Sequence, residues 1–203
     1  SIMIDGRPPF NYTRLSLDVG SETFKNEEYV HAKTINIGMP IRPLLQALQW
    51  IEEQDKKALM INQKPFTVVG SGHTAVEVAL ALRSRWSMRF LQLQGDLKQL
   101  KPRFKRALCA AKIDLISRED SISGLALLCT GNQAPQWLEA SNLHVDSSGR
   151  VLTTNTFQVI DYPNLFAVGD CGVIKNSYRP ASGVWAVRAA EPLARNLERC
   201  SKN

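Results

Sequence analysis

The chain has 203 residues, of which 44% are hydrophobic and 22% charged, and its formal net charge is +6. These values fit one large or two small globular domains, and they exclude a disordered or fibrous protein. No run approaches the roughly 18–20 apolar residues of a membrane-spanning helix, and no stretch has the pattern of a signal peptide.

The positive charge does not indicate a nucleic-acid partner, because the basic residues are dispersed. The densest group falls on one predicted helix, lacks the aromatic interleaving of a base-stacking surface and is expected to be solvated; it comprises Lys98, Lys101, Arg103, Lys105 and Arg106. The four cysteines have no Cys-x-x-Cys spacing and the three histidines are scattered, so neither a redox dithiol nor a metal site is predicted. A reduced, cytoplasmic setting is the resulting expectation.

The first third of the chain predicts two strands and one helix, separated by turns and polar connections. The helix is indicated by apolar residues that recur near helical spacing after Pro43. The predicted elements are a strand at 14–19, a strand at 29–37 and a helix at 41–56.

A short apolar strand at 66–69 then runs directly into Gly-x-Gly-x-x-Ala and a helix predicted at 74–86. This order of strand, tight turn and helix is how dinucleotide-binding folds hold a diphosphate at a helix N-terminus. Gly70 permits the turn, Gly72 lets the backbone approach the diphosphate, and Ala75 allows helix and strand to pack closely. The predicted diphosphate-binding residues are Gly70, Ser71, Gly72, His73, Thr74 and Ala75. The alternative is a turn that needs small residues for packing alone.

Strands and helices continue to alternate as far as residue 131, which is typical of βαβ units with a parallel sheet. The carboxyl ends of such strands share one edge of the sheet, where the ligand crevice lies. The predicted elements are strands at 88–94, 113–117 and 124–129 and a helix at 97–112.

The last third has a different character, with turns and extended segments before one long helix. Pro192 lies inside that helix, so a kink or a break is expected there. The predicted elements are a short helix at 135–140, a turn at 146–149, an extended segment at 151–160, a buried strand at 165–168 and a helix at 180–200.

A second motif follows the buried strand. Here Phe166-Ala167-Val168-Gly169-Asp170 resembles the flavin-side signature of the pyridine nucleotide-disulfide oxidoreductase superfamily. Further stretches match that superfamily in the same order: Leu17-Asp18-Val19-Gly20-Ser21, the glycine turn, Leu128-Cys129-Thr130-Gly131 with Cys in place of Ala, and the segment from Arg179 to Arg188. Within the superfamily the chain is most similar to the NADH dehydrogenase-like branch, including the flavoprotein module fused to selenide, water dikinase.

The resemblance implies an α/β fold with a Rossmann-like NAD(P)-binding domain, and an oxidoreductase that passes a hydride from a nicotinamide to FAD. Glu77 matches an acid that faces the nicotinamide–flavin junction, and Gly131 matches a glycine near the nucleotide. Gly169-Asp170 matches the pair whose acid hydrogen-bonds the sugar-alcohol chain of the flavin. Gly183-Val184 matches a helix start directed at the flavin ring. Because the flavin carries the chemistry, no catalytic side chain is predicted.

The superfamily's first half-fold and its C-terminal interface domain have no counterpart in the sequence. The expected organisation is an NAD(P)H-binding domain at 38–131 between two FAD-domain remnants at 1–37 and 132–203, as in the central fragment of a larger protein. Such a fragment is expected to hold FAD weakly and to be inactive alone. The electron acceptor is not predicted. A peripheral membrane association, or the fused dikinase, would belong to the full-length protein.

Nucleotide choice depends on the end of the second strand of the glycine-turn domain. Gln94 occupies the predicted strand end, and Asp96 lies two positions later. An acid at a strand end binds the ribose hydroxyls of NAD, and no arginine follows immediately to receive a 2′-phosphate, which slightly favours NADH. Two other function classes stay open: a nucleotide-responsive interaction module without catalysis, and an α/β domain with no nucleotide role.

Overall fold

The computed structural model describes residues 1–24, 38–57, 64–86 and 90–201. The chain divides into two compact units. The central unit is Thr23–Asn132, and the split unit combines Ser1–Glu22 with Gln133–Asn203. The boundaries at 37/38 and 131/132 that the sequence indicates for the NAD(P)H-binding domain stay a prediction. No helix within the described ranges is long and apolar enough to cross a membrane.

The helices and strands follow one another in a mostly alternating order. In chain order they are β1 (Leu15–Leu17), β2 (Glu22–Thr23), β3 (Met39–Pro40), α1 (Leu44–Lys57), β4 (Phe66–Val69), α2 (His73–Arg85), β5 (Leu91–Gly95), α3 (Pro102–Ala110), β6 (Asp114–Ser117), β7 (Ala126–Leu128), β8 (Asn132–Gln133), α4 (Trp137–Ala140), β9 (Val151–Thr153), β10 (Gln158–Val159), β11 (Tyr162–Ala167), a 3-10 turn (Gly169–Cys171), β12 (Gly172–Ile174) and α5 (Gly183–Ser201).

The central unit is built on a five-stranded sheet in the order β3-β7-β4-β5-β6, and every neighbouring pair in it is parallel. This confirms the predicted fold class. Val69, the last residue of β4, is in register with Gln94 on one side and Leu128 on the other. The carboxyl ends of three adjacent strands therefore meet at one edge, directly before the glycine turn.

The core of the central unit forms because β4 is buried along its whole length and α2 packs against it. Phe66 is fully buried, with Trp86 and Trp50 ring centroids 5.0 and 5.8 Å from its own. The side chains that α2 buries recur at helical spacing and are Ala75, Val76, Ala79 and Leu82.

The split unit has a mixed sheet in the order β1-β11-β10-β9-β12. β1 and β11 are parallel although about 150 residues separate them, with Leu15 paired to Leu165 and Leu17 to Ala167. β10 is antiparallel to both β11 and β9, whereas β12 is parallel to β9. Its core contains Leu17, Leu138, Val151 and Val159.

Two expected elements have different limits. The helix expected from residue 97 begins at Pro102 because the preceding residues form a turn, in which the Asp96 carboxylate accepts the Lys98 N–H at 2.9 Å. The segment expected to be extended over 151–160 is a hairpin instead. Its two strands are separated by a turn that the Phe157 N–H closes on the Thr154 carbonyl at 3.0 Å.

Of the kink or break expected at Pro192, the break does not occur, since α5 runs without interruption from Gly183 to Ser201. Proline removes one helical hydrogen bond, but contacts beyond it hold the second half of the helix. The Asn196 amide donates to the Thr156 carbonyl at 3.0 Å, and Arg14 donates to the Cys200 carbonyl.

Three further differences between the predicted and the observed elements concern strands. The strand expected at 29–37 lies outside the described residues, as does the start of the one expected at 88–94. β12 has no counterpart among the predicted elements. Its three half-buried residues Gly-Val-Ile are too short a run to predict a strand.

Candidate functional site

The glycine turn of the central unit depends on one residue without a side chain. Gly70 has φ +143°, and a Cβ placed there would lie 2.3 Å from the carbonyl oxygen of Cys129. Backbone bonds hold the turn between its neighbours: the Gly70 N–H donates to the Gln94 carbonyl at 2.8 Å, and the Cys129 N–H to the Val69 carbonyl at 2.7 Å. Only glycine combines this φ with this approach of the backbone.

The N-terminus of α2 opens onto solvent beside this turn. Gly72 is the N-cap, with φ −79° and no side-chain capping bond, and its Cβ direction has no atom within 4 Å. The N–H groups of His73, Thr74 and Ala75 have no acceptor within the helix, because the first intrahelical bond runs from the Val76 N–H to the Gly72 carbonyl. Open N–H groups and the positive end of the helix dipole together favour an anion.

The small residue at the third position of the motif has the packing role predicted for it. Ala75 is fully buried, and its Cβ lies 3.2 Å from the position that a Cβ on Gly70 would occupy. A larger side chain would push α2 away from β4. Ser71 is half-buried in the same turn.

The other predicted side chains around this turn are exposed. Thr74 and Glu77 lie on the open face of α2. His73 is exposed too, but its ring packs edge-on against Phe104 of α3, with 5.0 Å between centroids. Phe104 lies among the residues of the basic group, which therefore contains one aromatic side chain, contrary to the expectation from the sequence. Arg103 lies over the Phe104 ring at 4.8 Å. The His73 side chain therefore packs against α3, while its backbone N–H stays open at the N-terminus of α2.

The structure argues against a ligand contact by the Gln94 side chain. Gln94 is 3% exposed, and its amide Nε2 donates to the Asp120 carbonyl at 2.6 Å. The strand continues one residue further, to Gly95, so Asp96 is the first residue after it. Its carboxylate accepts the Lys98 N–H and the Gln99 amide, each at 2.9 Å. The Lys98 N–H is the main cause that lowers the pKa of Asp96, so this acid stays charged.

Sequence reasoning missed the role of Gly95. A Cβ on this residue would lie 2.4 Å from the Ser71 hydroxyl oxygen and 3.1 Å from the Gly70 backbone. Gly95 therefore lets the end of β5, and Asp96 after it, lie directly beside the glycine turn. The sequence signal that could have indicated this role is the glycine at the end of the second strand of the glycine-turn domain.

Gly131 follows β7 at the same edge of the sheet. It has φ +106° and its carbonyl accepts the Phe24 N–H at 3.0 Å, while the Thr130 hydroxyl donates to the Phe24 carbonyl. Gly131 is exposed, and no atom lies within 4 Å of its Cβ direction. Three sequence-distant stretches, at 70–75, 95–96 and 130–131, thus follow the carboxyl ends of adjacent strands.

The second motif forms a comparable turn in the split unit. Gly169 has φ +68°, and a Cβ there would lie 2.6 Å from the Asp18 carboxylate and 3.8 Å from the Ala186 Cβ of α5. Asp170, half-buried in the 3-10 turn, accepts a bond from the Ser21 hydroxyl at 3.0 Å. The turn thus brings together the end of β1, the end of β11 and the start of α5.

The start of α5 presents apolar side chains to solvent. The helix begins at Gly183, which is exposed with open space around its Cβ direction. Val184 and Val187 are 59% and 76% exposed. The two valines lie one turn apart on α5, so they form a small exposed apolar surface next to Gly183.

The surroundings of the cysteines near both motifs make their thiols unreactive. Burial raises the pKa of the Cys129 thiol to about 12. Burial is also the main cause that raises the pKa of Cys171, whose thiol donates to the Val168 carbonyl at 3.2 Å. Within the described ranges, no three His, Cys, Asp or Glu side chains group to hold a metal ion.

Comparisons with known proteins give a match at the level of the fold. No protein-family model matches the chain, and no curated protein matches it. The water-forming NADH oxidase from Lactobacillus brevis, bound to NADH, is 19% identical with a TM-score of 0.69, over 93% of this chain and 47% of that one. An engineered NADPH-bound form of that oxidase is 18% identical with a TM-score of 0.71 over the same shares. Reduced CoADR-RHD from Bacillus anthracis is 18% identical with a TM-score of 0.72, over 91% of this chain and 37% of that one.

The chain spans about half or less of the length of these matched structures. The likeness shows that the chain has the Rossmann-like α/β fold of these solved structures.

Proposed function

We propose that the chain is the nicotinamide-nucleotide-binding portion, with part of the flavin-binding portion, of an FAD-dependent NAD(P)H oxidoreductase. The observation that carries the proposal is the turn from Gly70 to Ala75, which leaves the first N–H groups of α2 open at the carboxyl edge of a parallel sheet. Two matched structures, bound to NADH and to NADPH, have the same fold.

The diphosphate of the nucleotide would lie against the backbone of Ser71, Gly72 and His73. The absence of a Cβ at Gly72 keeps this approach open, and the helix dipole stabilises the negative charge. Glu77, one turn into α2 and exposed, would face the nicotinamide, and Gly131 would border the nucleotide from the neighbouring strand.

The proposed nucleotide is NADH rather than NADPH. Asp96 would accept hydrogen bonds from the adenosine ribose hydroxyls, the part for which Gln94 was first predicted. A carboxylate that stays charged at this position also repels a 2′-phosphate. The NADPH-bound oxidase supports this chemistry, because its engineering replaces an aspartate by alanine and introduces two arginines.

The flavin would be held in part by the split unit. Asp170 would hydrogen-bond the sugar-alcohol chain, with Ser21 fixing the orientation of its carboxylate. The N-terminus of α5, at Gly183 and Val184, would face the flavin ring and stabilise charge on it. The flavin supplies hydride chemistry when bound, and this chain's residues position it.

Calorimetric titration of the 203-residue chain with NADH, NADPH and FAD tests the proposal. NADH is expected to bind more tightly than NADPH, and FAD weakly, since the matched structures are at least about twice as long. Saturable NADH binding with no detectable binding of FAD would favour the second candidate, a nucleotide-binding module without catalysis. No binding of any of the three nucleotides would contradict both.

The four cysteines are free thiols, which fits a reducing cytoplasmic setting. A fused selenide, water dikinase and a membrane association find no support in the compared structures and form no part of the proposal. The electron acceptor stays open.

A further inference from the structure

The split unit contains a pocket of about 230 Å³, lined by α5 on one side and by β9 and β12 on the other. Its lining is mainly apolar and includes Phe157, Val173, Ile174 and Pro180. The volume is below the roughly 300–1,000 Å³ of pockets for drug-sized ligands, so the pocket suits a small molecule.

One arginine in the lining is a structural cation. Arg150 is 4% exposed and donates from Nε and Nη2 to one oxygen of Asp146, at 2.9 and 2.7 Å. Its Nη1 donates to the Arg179 carbonyl at 2.8 Å. Asp146 neutralises the charge of Arg150, and Arg150 in turn fixes the backbone of the loop that carries Arg179.

Two other arginines converge on one aromatic ring of the lining. The guanidinium carbons of Arg179 and Arg188 lie 4.2 and 5.1 Å from the ring centroid of Trp185. Both side chains are exposed, and neither has an acidic partner within the part of the chain that the structure describes. Stacking on the indole stabilises each cation, but two like charges beside one ring repel each other. An anion bound by these guanidinium groups would neutralise the excess positive charge and reduce that repulsion.

We infer that this pocket binds a small organic oxyanion, a carboxylate or phosphate ester with an apolar body. Arg179 and Arg188 hold the oxyanion, since guanidinium groups match carboxylate and phosphate geometry. Phe157, Val173 and Ile174 accept the apolar body. These residues are separate from those proposed for the flavin, although Gly169 lies in both linings.

Calorimetric titration of the 203-residue chain with benzoate and with phenyl phosphate tests the inference. Saturable binding of either probe supports it, and the tighter one identifies the head group. Benzamide, which lacks the charge, and inorganic phosphate, which lacks the apolar body, are expected to bind at least about tenfold more weakly. Equal binding of either of these two would overturn the inference.

Variants locate the site. Arg179→Gln and Arg188→Gln are each expected to weaken binding about tenfold. Arg199→Gln removes the same charge from α5 outside the pocket and should change affinity less than twofold. An equal loss in all three variants would mean non-specific charge attraction and would overturn the inference.

Two further measurements use the unaltered chain. Methyl NMR should show benzoate-induced shifts at Val173 and Ile174, and shifts confined to other residues would contradict the assignment. Competition with FAD separates the pocket from the proposed flavin site. Displacement of benzoate by FAD would overturn a separate site while supporting flavin binding, whereas simultaneous binding supports the separate pocket.

Discussion

The two units contain the same kind of turn, a glycine at positive φ after a buried strand, but they close it with different partners. At Gly70 the close neighbour is a backbone carbonyl, that of Cys129, directly after the adjacent strand β7. At Gly169 it is the carboxylate of Asp18, an exposed side chain. A backbone neighbour cannot move without moving the sheet, whereas a side chain can rotate. The turn of the central unit is therefore the more rigid and the more dependent on glycine.

Thiol reactivity gives the largest expected effect, because each unit has one buried and one more accessible cysteine. Cys109 is exposed, so it should be alkylated by iodoacetamide at pH 8 at least about 1,000-fold faster than Cys129, whose pKa is raised to about 12. Cys171 should also react much more slowly than Cys109, since it is fully buried and burial raises the pKa of its thiol. Mass spectrometry of the labelled peptides measures all three rates.

The Cys129 thiol makes the free energy of unfolding of the central unit depend on pH in the alkaline range. In the unfolded chain Cys129 ionises near 9.0, while in the folded chain it stays protonated to about 12. The folded state therefore binds more protons in this window, and the free energy of unfolding should fall as the pH rises from about 9 towards 12. A Cys129→Ala variant should lose part of this dependence, and an unchanged pH profile would contradict the assignment.

Matched glycine substitutions test the comparison of the two turns directly. Gly70→Ala should lower the free energy of unfolding by about 2–4 kcal/mol, because both the backbone angle and the carbonyl contact oppose a Cβ. Gly169→Ala should cost about 1–2 kcal/mol, since the Asp18 side chain can yield. Urea denaturation measures both values. A larger loss for Gly169→Ala would reverse the comparison.

The smallest expected effect concerns nucleotide choice. Asp96→Asn should weaken NADH binding about tenfold and leave NADPH binding unchanged or improved. Asp114→Asn is the control, because it removes the same charge at the opposite end of the neighbouring parallel strand. If both variants bind NADH equally well, Asp96 has no part in ribose recognition.

The sequence predicted the central unit well because its determinants are local. β4, the glycine turn and α2 follow one another within 20 residues, and each is indicated by periodicity or by a glycine that the backbone requires. The split unit was harder, since β1 and β11 pair across about 150 residues and β12 is three residues long. Local patterns carry no information on such pairings.

The same distinction explains which site residues were predicted. Gly70, Gly72 and Ala75 follow from a contiguous motif, and Gly169 and Asp170 follow from the resemblance. The sequence indicated Gln94 for the ribose contact that is now proposed for Asp96, because that choice depends on where β5 ends. Sequence patterns locate strand ends only within a few residues. The Arg179–Trp185–Arg188 group could not be predicted, because a loop held by Arg150 brings the first of these residues to the helix.

The central claim is that the N-terminus of α2 binds a dinucleotide diphosphate, and a pair of Gly72 variants tests it most directly. Asp and Asn are both good N-caps, φ at Gly72 is −79°, and no atom lies within 4 Å of its Cβ direction. Both variants should therefore fold and gain a few tenths of a kcal/mol in stability. They differ only in the carboxylate that Asp would place against the diphosphate.

Calorimetric titration of Gly72→Asp and Gly72→Asn with NADH is the deciding measurement. The Asp variant is expected to bind NADH on the order of 100-fold more weakly than the Asn variant, because two negative charges would lie a few ångströms apart. NADH affinities of both variants equal to that of the unaltered chain would mean that no diphosphate lies at this helix end, and would contradict the proposed nucleotide site.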